Sequence, residues 1–232
     1  FRPIVAPPAL REGEEEALLG RESVDPAAFP RGHRPSAEWR ATIERQHPAL
    51  AGVPLLLLPA RGTRLKNHVD AIEVLARLRE AHGIEAGLWL LGARDPGREA
   101  YVAELEALAA KRGVAARVAI TEPRSDIVDA YGMAAVVLQV SGKPESFGRT
   151  VVEALSVGVP VAGYAHGGVG ELLRELLPAG AVALGDVEAL AAVVANWLRH
   201  PPEVPSPARY RLAQMQEATL ALYTEIVEAW PD

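Results

Sequence analysis

Short apolar runs and amphipathic stretches alternate along most of the chain. Residues 55–58 are four consecutive leucines, a run typical of a strand buried on both faces. Val69, Ile72 and Leu75 then recur at helical spacing. The pattern predicts further strands at 88–92, 116–121, 135–140, 159–163 and 181–184, and helices at 37–47, 66–82, 96–112, 126–133, 171–177, 187–199 and 207–229, with one more helix beginning after Gly148.

This alternation predicts an α/β fold, a parallel, doubly wound, Rossmann-like sheet with helices on both faces. Residues 1–50 are broken by prolines and are expected to form an irregular N-terminal segment, with a short strand at 4–6, that leads into the domain. The sheet domain itself is assigned to residues 51–206. Residues 207–232 are assigned to a final helix.

Candidate polar residues follow the predicted strands. Arg61, Thr121 and the loops at 141–145 and 163–170 all begin where an apolar run ends. In doubly wound sheets ligands bind beyond the carboxyl ends of the strands. We therefore expect these segments to converge on one edge of the sheet.

Composition narrows the classes of partner. The 232 residues carry a net charge of −6, which argues against nucleic acid as a partner, because a protein that binds the phosphate backbone needs a basic face. No cysteine is present, so disulfides and thiolate metal sites are excluded. No apolar run approaches the roughly 20 residues of a membrane span. The chain opens on phenylalanine rather than methionine, so we expect a piece of a longer protein.

The stretch 140–171 carries the most specific chemistry. Glu145 precedes a predicted helix start, and Glu153 lies about two turns inside that helix. Between them, Ser146, Phe147 and Gly148 supply backbone N–H groups at a helix N-terminus, which suits a phosphate. Gly148 has no Cβ, so a ligand can approach the backbone closely. Hydrogen-bond donors for a phosphate therefore lie between two carboxylates that can accept from hydroxyl groups. This combination favours a phosphorylated sugar or a nucleotide sugar as the ligand.

Two simpler interpretations of this stretch remain open. Periodicity places Glu153 opposite the apolar arc, where it could form an ordinary exposed ion pair with Arg149 worth a few tenths of a kcal/mol. The glycines at 163–170 could form only a flexible turn, with Glu171 capping the next helix. They do not fit the G-x-G-x-x-G fingerprint after a first strand, so an NAD site is not expected.

The spacing Glu145-x7-Glu153 stands within Pro-Glu-Ser-Phe-Gly-Arg-Thr-Val-Val-Glu-Ala-Leu-Ser-Val-Gly-Val-Pro-Val, and His166-Gly167-Gly168-x-x-Glu171 follows. This pattern resembles the signature of retaining GT-B glycosyltransferases of family 4, glycosyltransferase group 1. The resemblance covers roughly residues 22–200 and includes a partial match to the family's turn at 23–29. It implies the C-terminal, donor-binding half of a GT-B fold.

The resemblance implies a role for each matching residue. Arg61 and Lys66 would neutralise the donor diphosphate as charge develops on it, with Arg64 as the competing choice. Glu153 would accept hydrogen bonds from the ribose hydroxyls, and Glu145 from hydroxyls of the transferred sugar. The candidate catalytic residues are Arg61, Lys66 and Glu145, and the candidate donor-binding residues are Ser146, Phe147, Gly148, Glu153, Thr121, Gly167 and Gly168.

The expected partners follow from the same resemblance. The donor would be a nucleoside-diphosphate sugar, and the acceptor would bind an N-terminal domain that this chain lacks. The last helix would pack back toward that domain, and any contact at the inner face of the membrane would be made through it. Asp-x-Asp is absent and the histidines are dispersed, so no metal and no cofactor are expected. We expect a cytoplasmic protein whose isolated donor half transfers nothing.

Two other functions remain as alternatives. A nucleotide-sugar epimerase of GT-B shape would share the fold and part of the site, and it would release free sugar or its epimer. A non-catalytic binding or scaffold module that kept the motif as structure would have no nucleotide affinity and would be indifferent to Glu153→Ala. The joint presence of Arg61, Lys66, Glu145 and Glu153 argues against the second alternative.

Overall fold

The computed structural model describes residue 25 and residues 27–229 as one parallel sheet of six strands, flanked by helices. The strands are β1 Leu55–Pro59, β2 Gly87–Leu91, β3 Val118–Thr121, β4 Val136–Gln139, β5 Val161–Tyr164 and β6 Ala181–Val182. The helices are α1 Ala37–Gln46, α2 His68–His82, α3 Glu99–Lys111, α4 Ile127–Met133, α5 Arg149–Val157, α6 Gly167–Leu176, α7 Val187–Arg199 and α8 Leu212–Ala229.

The strand order is β3-β2-β1-β4-β5-β6, and every pair is parallel. The chain winds outward from β1 through β2 to β3, and then crosses back to place β4 on the other side of β1. The order of the strands therefore reverses between β1 and β4. In doubly wound sheets this reversal opens a crevice at the carboxyl ends of the two strands. The predicted α/β, doubly wound fold is confirmed.

The central strands carry mostly apolar side chains, and helices cover both of their faces. The four leucines of β1 and all of β2 are buried, as expected for strands covered by helices on both faces. The β2 residue Trp89 is fully buried and donates from Nε1 to the Thr121 hydroxyl at 2.9 Å. This bond satisfies the indole N–H inside the core, where an unpaired donor would be costly.

The segment before β1 contributes to the same core. Helix α1 begins after Ser36, whose side chain accepts from the Trp39 N–H, and it buries Ile43. The Trp39 ring packs 6.4 Å from the Trp89 ring, and Leu50 is also buried. Residues 37–50 are therefore part of the packed domain, which makes the irregular N-terminal segment shorter than predicted. The predicted strand at 4–6 lies outside the described residues, as do residues 23, 24 and 26 of the predicted turn at 23–29. In the described part of that turn, the Ala28 N–H donates to the Asp25 carbonyl at 3.0 Å.

Several helix boundaries differ from those that the sequence predicts. Helix α6 begins at Gly167 and not at Glu171, so the first glycines belong to its first turn. Glu171 is exposed inside this helix and does not cap it, because His166 is the N-cap residue. The prediction of a capping role for Glu171 is wrong.

Helix α8 presents apolar side chains to solvent. Leu220, Tyr223 and Ile226 are exposed by 66%, 62% and 42%. These positions recur at helical spacing and form one face. Within the part of the chain that the structure describes, none of the helices has the length and apolar character to cross a membrane.

Candidate functional site

The loops that follow β1 and β4 meet at the point where the strand order reverses. We call residues 141–148 the β4–α5 loop. Its Gly142 N–H donates to the Leu65 carbonyl at 2.8 Å, which joins it to the short 3₁₀ turn Arg64–Lys66. The predicted convergence of these segments on one edge of the sheet is therefore present in the structure.

Lys66 and Glu145 form an ion pair in this crevice. The Lys66 Nζ lies 2.6 Å from Glu145 Oε1, and both side chains are less than a third exposed. The buried Ser141 hydroxyl donates to the same carboxylate oxygen. Glu145 is thus held in one orientation by a cation and a hydroxyl, both from loops that follow strands.

The start of α6 packs directly on the β4–α5 loop. The Gly168 N–H donates to the Glu145 carbonyl at 2.8 Å. The His166 Nε2 lies 2.7 Å from the Ser141 carbonyl, so this nitrogen carries the proton, because a carbonyl can only accept. A Cβ at position 168 would lie 2.5 Å from the Phe147 Cα. Gly168 is therefore required by close packing, and the interpretation of this segment as a flexible turn is wrong.

Three helices begin around the crevice without a side-chain cap. They are α2, α5 and α6, whose N-cap residues are Asn67, Gly148 and His166. Helices α3 and α4 also lack a side-chain cap, whereas α1 and α7 are capped by the side chains of Ser36 and Asp186. The first N–H groups of a helix need acceptors, and the helix end carries a partial positive charge. This arrangement suits an anionic group such as a diphosphate.

Glu153 lies on α5 with its side chain only 13% exposed. The Tyr131 hydroxyl of α4 donates to Oε2 at 2.8 Å, and Arg149 reaches Oε1 at 3.3 Å. Arg149 itself is 64% exposed. Arg149 is therefore exposed, as expected for an ordinary surface ion pair, whereas Glu153 is largely buried.

Glu153 lines an open pocket of about 220 Å³. The exposed Arg61 and the buried Tyr131 line the same pocket. The remaining lining residues are Pro59, Ala60, Leu91, Gly92, Pro123, Arg124, Ile127 and Thr150. The pocket therefore offers a carboxylate and a cation between largely apolar walls, which fits a ligand with hydroxyl groups and an anionic portion.

Two other basic residues, Arg64 and Arg124, are already paired with carboxylates of the chain. Arg64 is 71% exposed and pairs with Glu104 at 2.7 Å, above the ring of Tyr101. Arg124 binds Asp126 through two hydrogen bonds of 2.7 and 2.8 Å. Arg64 is thus committed to a surface ion pair, whereas Arg124 is held rigidly at the rim of the pocket.

Some predicted donor-binding residues do not present their side chains to the crevice. The Thr121 hydroxyl is buried, where it accepts from Trp89 and donates to the Glu122 carbonyl at 3.3 Å. The Phe147 ring is buried against the Tyr210 ring at 5.8 Å. Thr121 therefore acts as part of the core, and Phe147 could reach a ligand only through its backbone.

No contact of the described residues tests the predicted donor-binding roles of Ser146 and Gly148. Ser146 is exposed on the β4–α5 loop, and Gly148 begins α5 in the left-handed region at φ 112°. Sequence reasoning missed Tyr131, whose hydroxyl lies on a carboxylate of another helix. Its position within a short predicted helix gave no signal for this contact.

A parallel six-stranded sheet with flanking helices, whose strand order reverses between β1 and β4, defines a Rossmann-like α/β domain. The domain has the same fold as part of several GT-B glycosyltransferases. A family model described as glycosyl transferases group 1 matches residues 40–215, and this chain belongs to that family.

Individual relatives agree with this assignment. A D-inositol 3-phosphate glycosyltransferase of Xylanimonas cellulosilytica is 39% identical over 118 residues, which are 50% of this chain and 27% of the relative. A crystal structure of a glycosyltransferase from Rickettsia africae has a TM-score of 0.73 at 23% identity, over 90% of this chain and 57% of that one. The chain therefore spans about a quarter of the length of the first relative and little more than half of the second.

A second structure is matched over nearly its whole length. It is the C-terminal domain of a glycosyl transferase group 1 family protein, LpcC, from Francisella tularensis. The match covers 86% of this chain and 98% of that domain, with a TM-score of 0.62 at 16% identity. Anabaena Alr3699/HepE in complex with UDP-glucose has a TM-score of 0.73 at 21% identity, over 87% of this chain and 56% of that one.

Proposed function

We propose that this chain is the donor-binding half of a retaining, metal-independent glycosyltransferase that uses a nucleoside-diphosphate sugar. The observation that carries the proposal is the position of the largely buried Glu153 in an open pocket that also holds Arg61. The adjoining crevice contains the Lys66–Glu145 pair beside helix ends without side-chain caps. The Alr3699/HepE protein, which shares this fold, was solved with UDP-glucose.

In this proposal each group has a chemical task. Glu153 accepts hydrogen bonds from the ribose hydroxyls, and Glu145 binds hydroxyls of the transferred sugar. When the bond between sugar and diphosphate breaks, negative charge develops on the departing phosphate. Arg61, Lys66 and the N-terminus of α5 stabilise that charge, so fixed cations and helix ends do the work that a divalent metal does in other enzymes.

Titration calorimetry with UDP, GDP and ADP tests the proposal, first without added metal and then with EDTA. We expect one of these nucleotides to bind with the same affinity in both conditions. Glu153→Ala removes the acceptors of two charge-assisted hydrogen bonds, each worth roughly 1.5–3 kcal/mol. Loss of both bonds should weaken binding of that nucleotide about a hundredfold to ten-thousandfold.

Glu44→Ala is the matched control, because Glu44 also faces an arginine four residues away on a helix, Arg40 at 3.9 Å. This variant should bind as the wild type does. No binding to any of the three nucleotides would contradict the proposal. Equal binding by wild type and Glu153→Ala would contradict the role of Glu153, whereas a module that kept the motif only as structure would bind none of the three nucleotides.

A further inference from the structure

The phenol of Tyr131 is hydrogen-bonded to the carboxylate of Glu153, and the Thr150 side chain is a second polar neighbour. Tyr131 is 1% exposed, and its ring packs edge-on against Phe29 at 6.1 Å between centroids. Its hydroxyl donates to Glu153 Oε2 at 2.8 Å. Because a buried hydroxyl without a partner is costly, this bond fixes the phenol and the carboxylate relative to each other.

The geometry leaves the carboxylate able to bind a ligand. An ionised carboxylate offers about four lone-pair positions on its two oxygens. Tyr131 occupies one position on Oε2 and Arg149 one on Oε1, so among the described residues one position on each oxygen has no partner. Two free acceptor positions on one carboxylate match the two vicinal hydroxyls of a ribose.

The two partners of Glu153 differ in how firmly they can hold it. Arg149 is 64% exposed and lies 3.3 Å away, so its contact is screened by water and contributes little. Tyr131 is rigid, because its ring is enclosed in the core. Burial, followed by the neighbouring Glu153 carboxylate, raises the pKa of Tyr131 well above its ordinary value. The phenol therefore keeps its proton and remains a donor across the whole neutral range.

We propose that Tyr131 is a positioning residue for the donor nucleotide, because its hydroxyl holds Glu153 in the orientation that accepts both ribose hydroxyls. This inference rests on the proposed function and adds to it a residue from a second helix. Tyr131 lines the pocket but is only 1% exposed, so in this inference it acts through Glu153. Its hydrogen bond restricts rotation of the Glu153 side chain before the nucleotide binds. Less conformational entropy is therefore lost on binding.

The experiment combines a substitution with a change in the ligand. Tyr131→Phe keeps the buried ring and removes only the hydroxyl. For whichever of UDP, GDP and ADP binds, we expect this variant to weaken binding about threefold to tenfold. It should leave binding of the matching 2′,3′-dideoxynucleoside diphosphate within about twofold of wild type. That ligand has no ribose hydroxyls that could donate hydrogen bonds to Glu153.

Two controls separate positioning from general damage. Tyr101→Phe removes a hydroxyl from another buried tyrosine, whose neighbour is His68 at 3.4 Å, and it should bind both ligands as wild type does. In a Glu153→Ala background, Tyr131→Phe should have no further effect on the ribonucleotide. Tyr131→Met fills a similar volume without the hydroxyl and gives a second test if the phenylalanine variant does not fold.

The outcomes distinguish this inference from the proposed function. If wild type binds no nucleotide, the proposed function and this inference both fail. If wild type binds and Glu153→Ala does not, but Tyr131→Phe binds both ligands as wild type does, only the positioning role fails. Equal weakening of both ligands by Tyr131→Phe would also overturn it, because the hydroxyl would then act through the fold and not through the ribose.

Discussion

The carboxylate of Glu145 already has two partners in the chain without a ligand. Lys66 lies 2.6 Å from one of its oxygens, and the Ser141 hydroxyl donates to the same oxygen. A phosphate at the nearby helix end would compete with Glu145 for the lysine ammonium. The same glutamate that binds the sugar in our proposal therefore also lowers the attraction of Lys66 for an anion.

This competition predicts the effect of Glu145→Gln. The amide keeps the size of the side chain and removes its charge, so Lys66 becomes fully available to phosphate. We expect affinity for the nucleoside diphosphate to rise about twofold to fivefold, which corresponds to less than about 1 kcal/mol. Affinity for the nucleoside monophosphate should change less, and titration calorimetry measures both.

Glu104→Gln is the control for this prediction. Glu104 pairs with Arg64 from the same turn as Lys66, but the pair is exposed at 71% and 51%. Removal of that charge should leave nucleotide affinity unchanged, because exposed pairs contribute little. Weaker diphosphate binding by Glu145→Gln would show that Glu145 orients Lys66 instead of competing for it.

His68 is a second residue whose charge state matters, here for stability. It is fully buried, with Nε2 3.3 Å from the Ala60 carbonyl and Nδ1 3.4 Å from the Tyr101 hydroxyl. Burial lowers the pKa of His68 from 6.5 to about 4. The unfolded chain therefore binds this proton at a higher pH than the folded chain does, so acid favours unfolding between about pH 6.5 and pH 4.

We predict the size of this effect from the two pKa values. From pH 7 to pH 5, His68 should remove about 2 kcal/mol from the free energy of unfolding. His68→Gln cannot take up the proton, so its loss between the two pH values should be smaller by about that amount. Urea unfolding at pH 7 and pH 5 measures the difference. The exposed His200, changed to Gln, is the control and should keep the wild-type difference.

At the scale of elements, the start of α6 and the β4–α5 loop form one packed unit. The Gly168 N–H donates to the Glu145 carbonyl, and a Cβ at Gly167 would lie 2.8 Å from the same oxygen. Glycine is needed at both positions because the two backbones touch, and Gly167 also has φ 54°. The orientation of Glu145 thus depends on residues that carry no functional group.

This dependence predicts that Gly168→Ala damages both stability and binding. Its Cβ would lie 2.5 Å from the Phe147 Cα, and a backbone contact can be relieved only by shifting the loop. We expect a loss of about 1–3 kcal/mol in the free energy of unfolding, together with weaker nucleotide binding in the variant that remains folded.

Gly142→Ala tests whether any added methyl group in this region has the same effect. Gly142 is exposed on the same β4–α5 loop, and a Cβ there would meet nothing within 4 Å. It should therefore match wild type in both measurements, chemical unfolding and titration calorimetry. A Gly168→Ala variant that is as stable and binds as well as Gly142→Ala would contradict the packing argument.

The same elements show how far sequence alone could predict the structure. The apolar run of β1 and the alternation that follows it predicted the fold, because a strand covered on both faces needs little else. The start of α6 was missed because a run of glycines usually marks a turn, and the close contact between Gly168 and Phe147 has no counterpart in the sequence pattern. Glu153 was placed opposite the apolar arc, but Tyr131 from another helix covers it, and such contacts leave no periodic signal.

At the scale of the whole molecule, the described residues contain one sheet and one face for a ligand. The pocket beside Glu153 is open, and the crevice with Lys66 lies at the same edge. The chain spans 57% of the Rickettsia africae glycosyltransferase and nearly all of the C-terminal domain of LpcC. We propose that the acceptor binds a second domain, which would close over this edge and complete the site.

This arrangement predicts that the chain alone binds a donor but transfers no sugar. A group transfer needs donor and acceptor held together in a site that excludes water, and one half supplies neither the acceptor nor the enclosure. Nucleotide sugars carrying the base found by titration should bind this chain, and mass spectrometry should detect no glycosylated product. The longer protein with an added acceptor is the positive control. Transfer by this chain alone would show that the acceptor site lies within these residues, whereas release of free sugar or an epimer would favour the epimerase alternative.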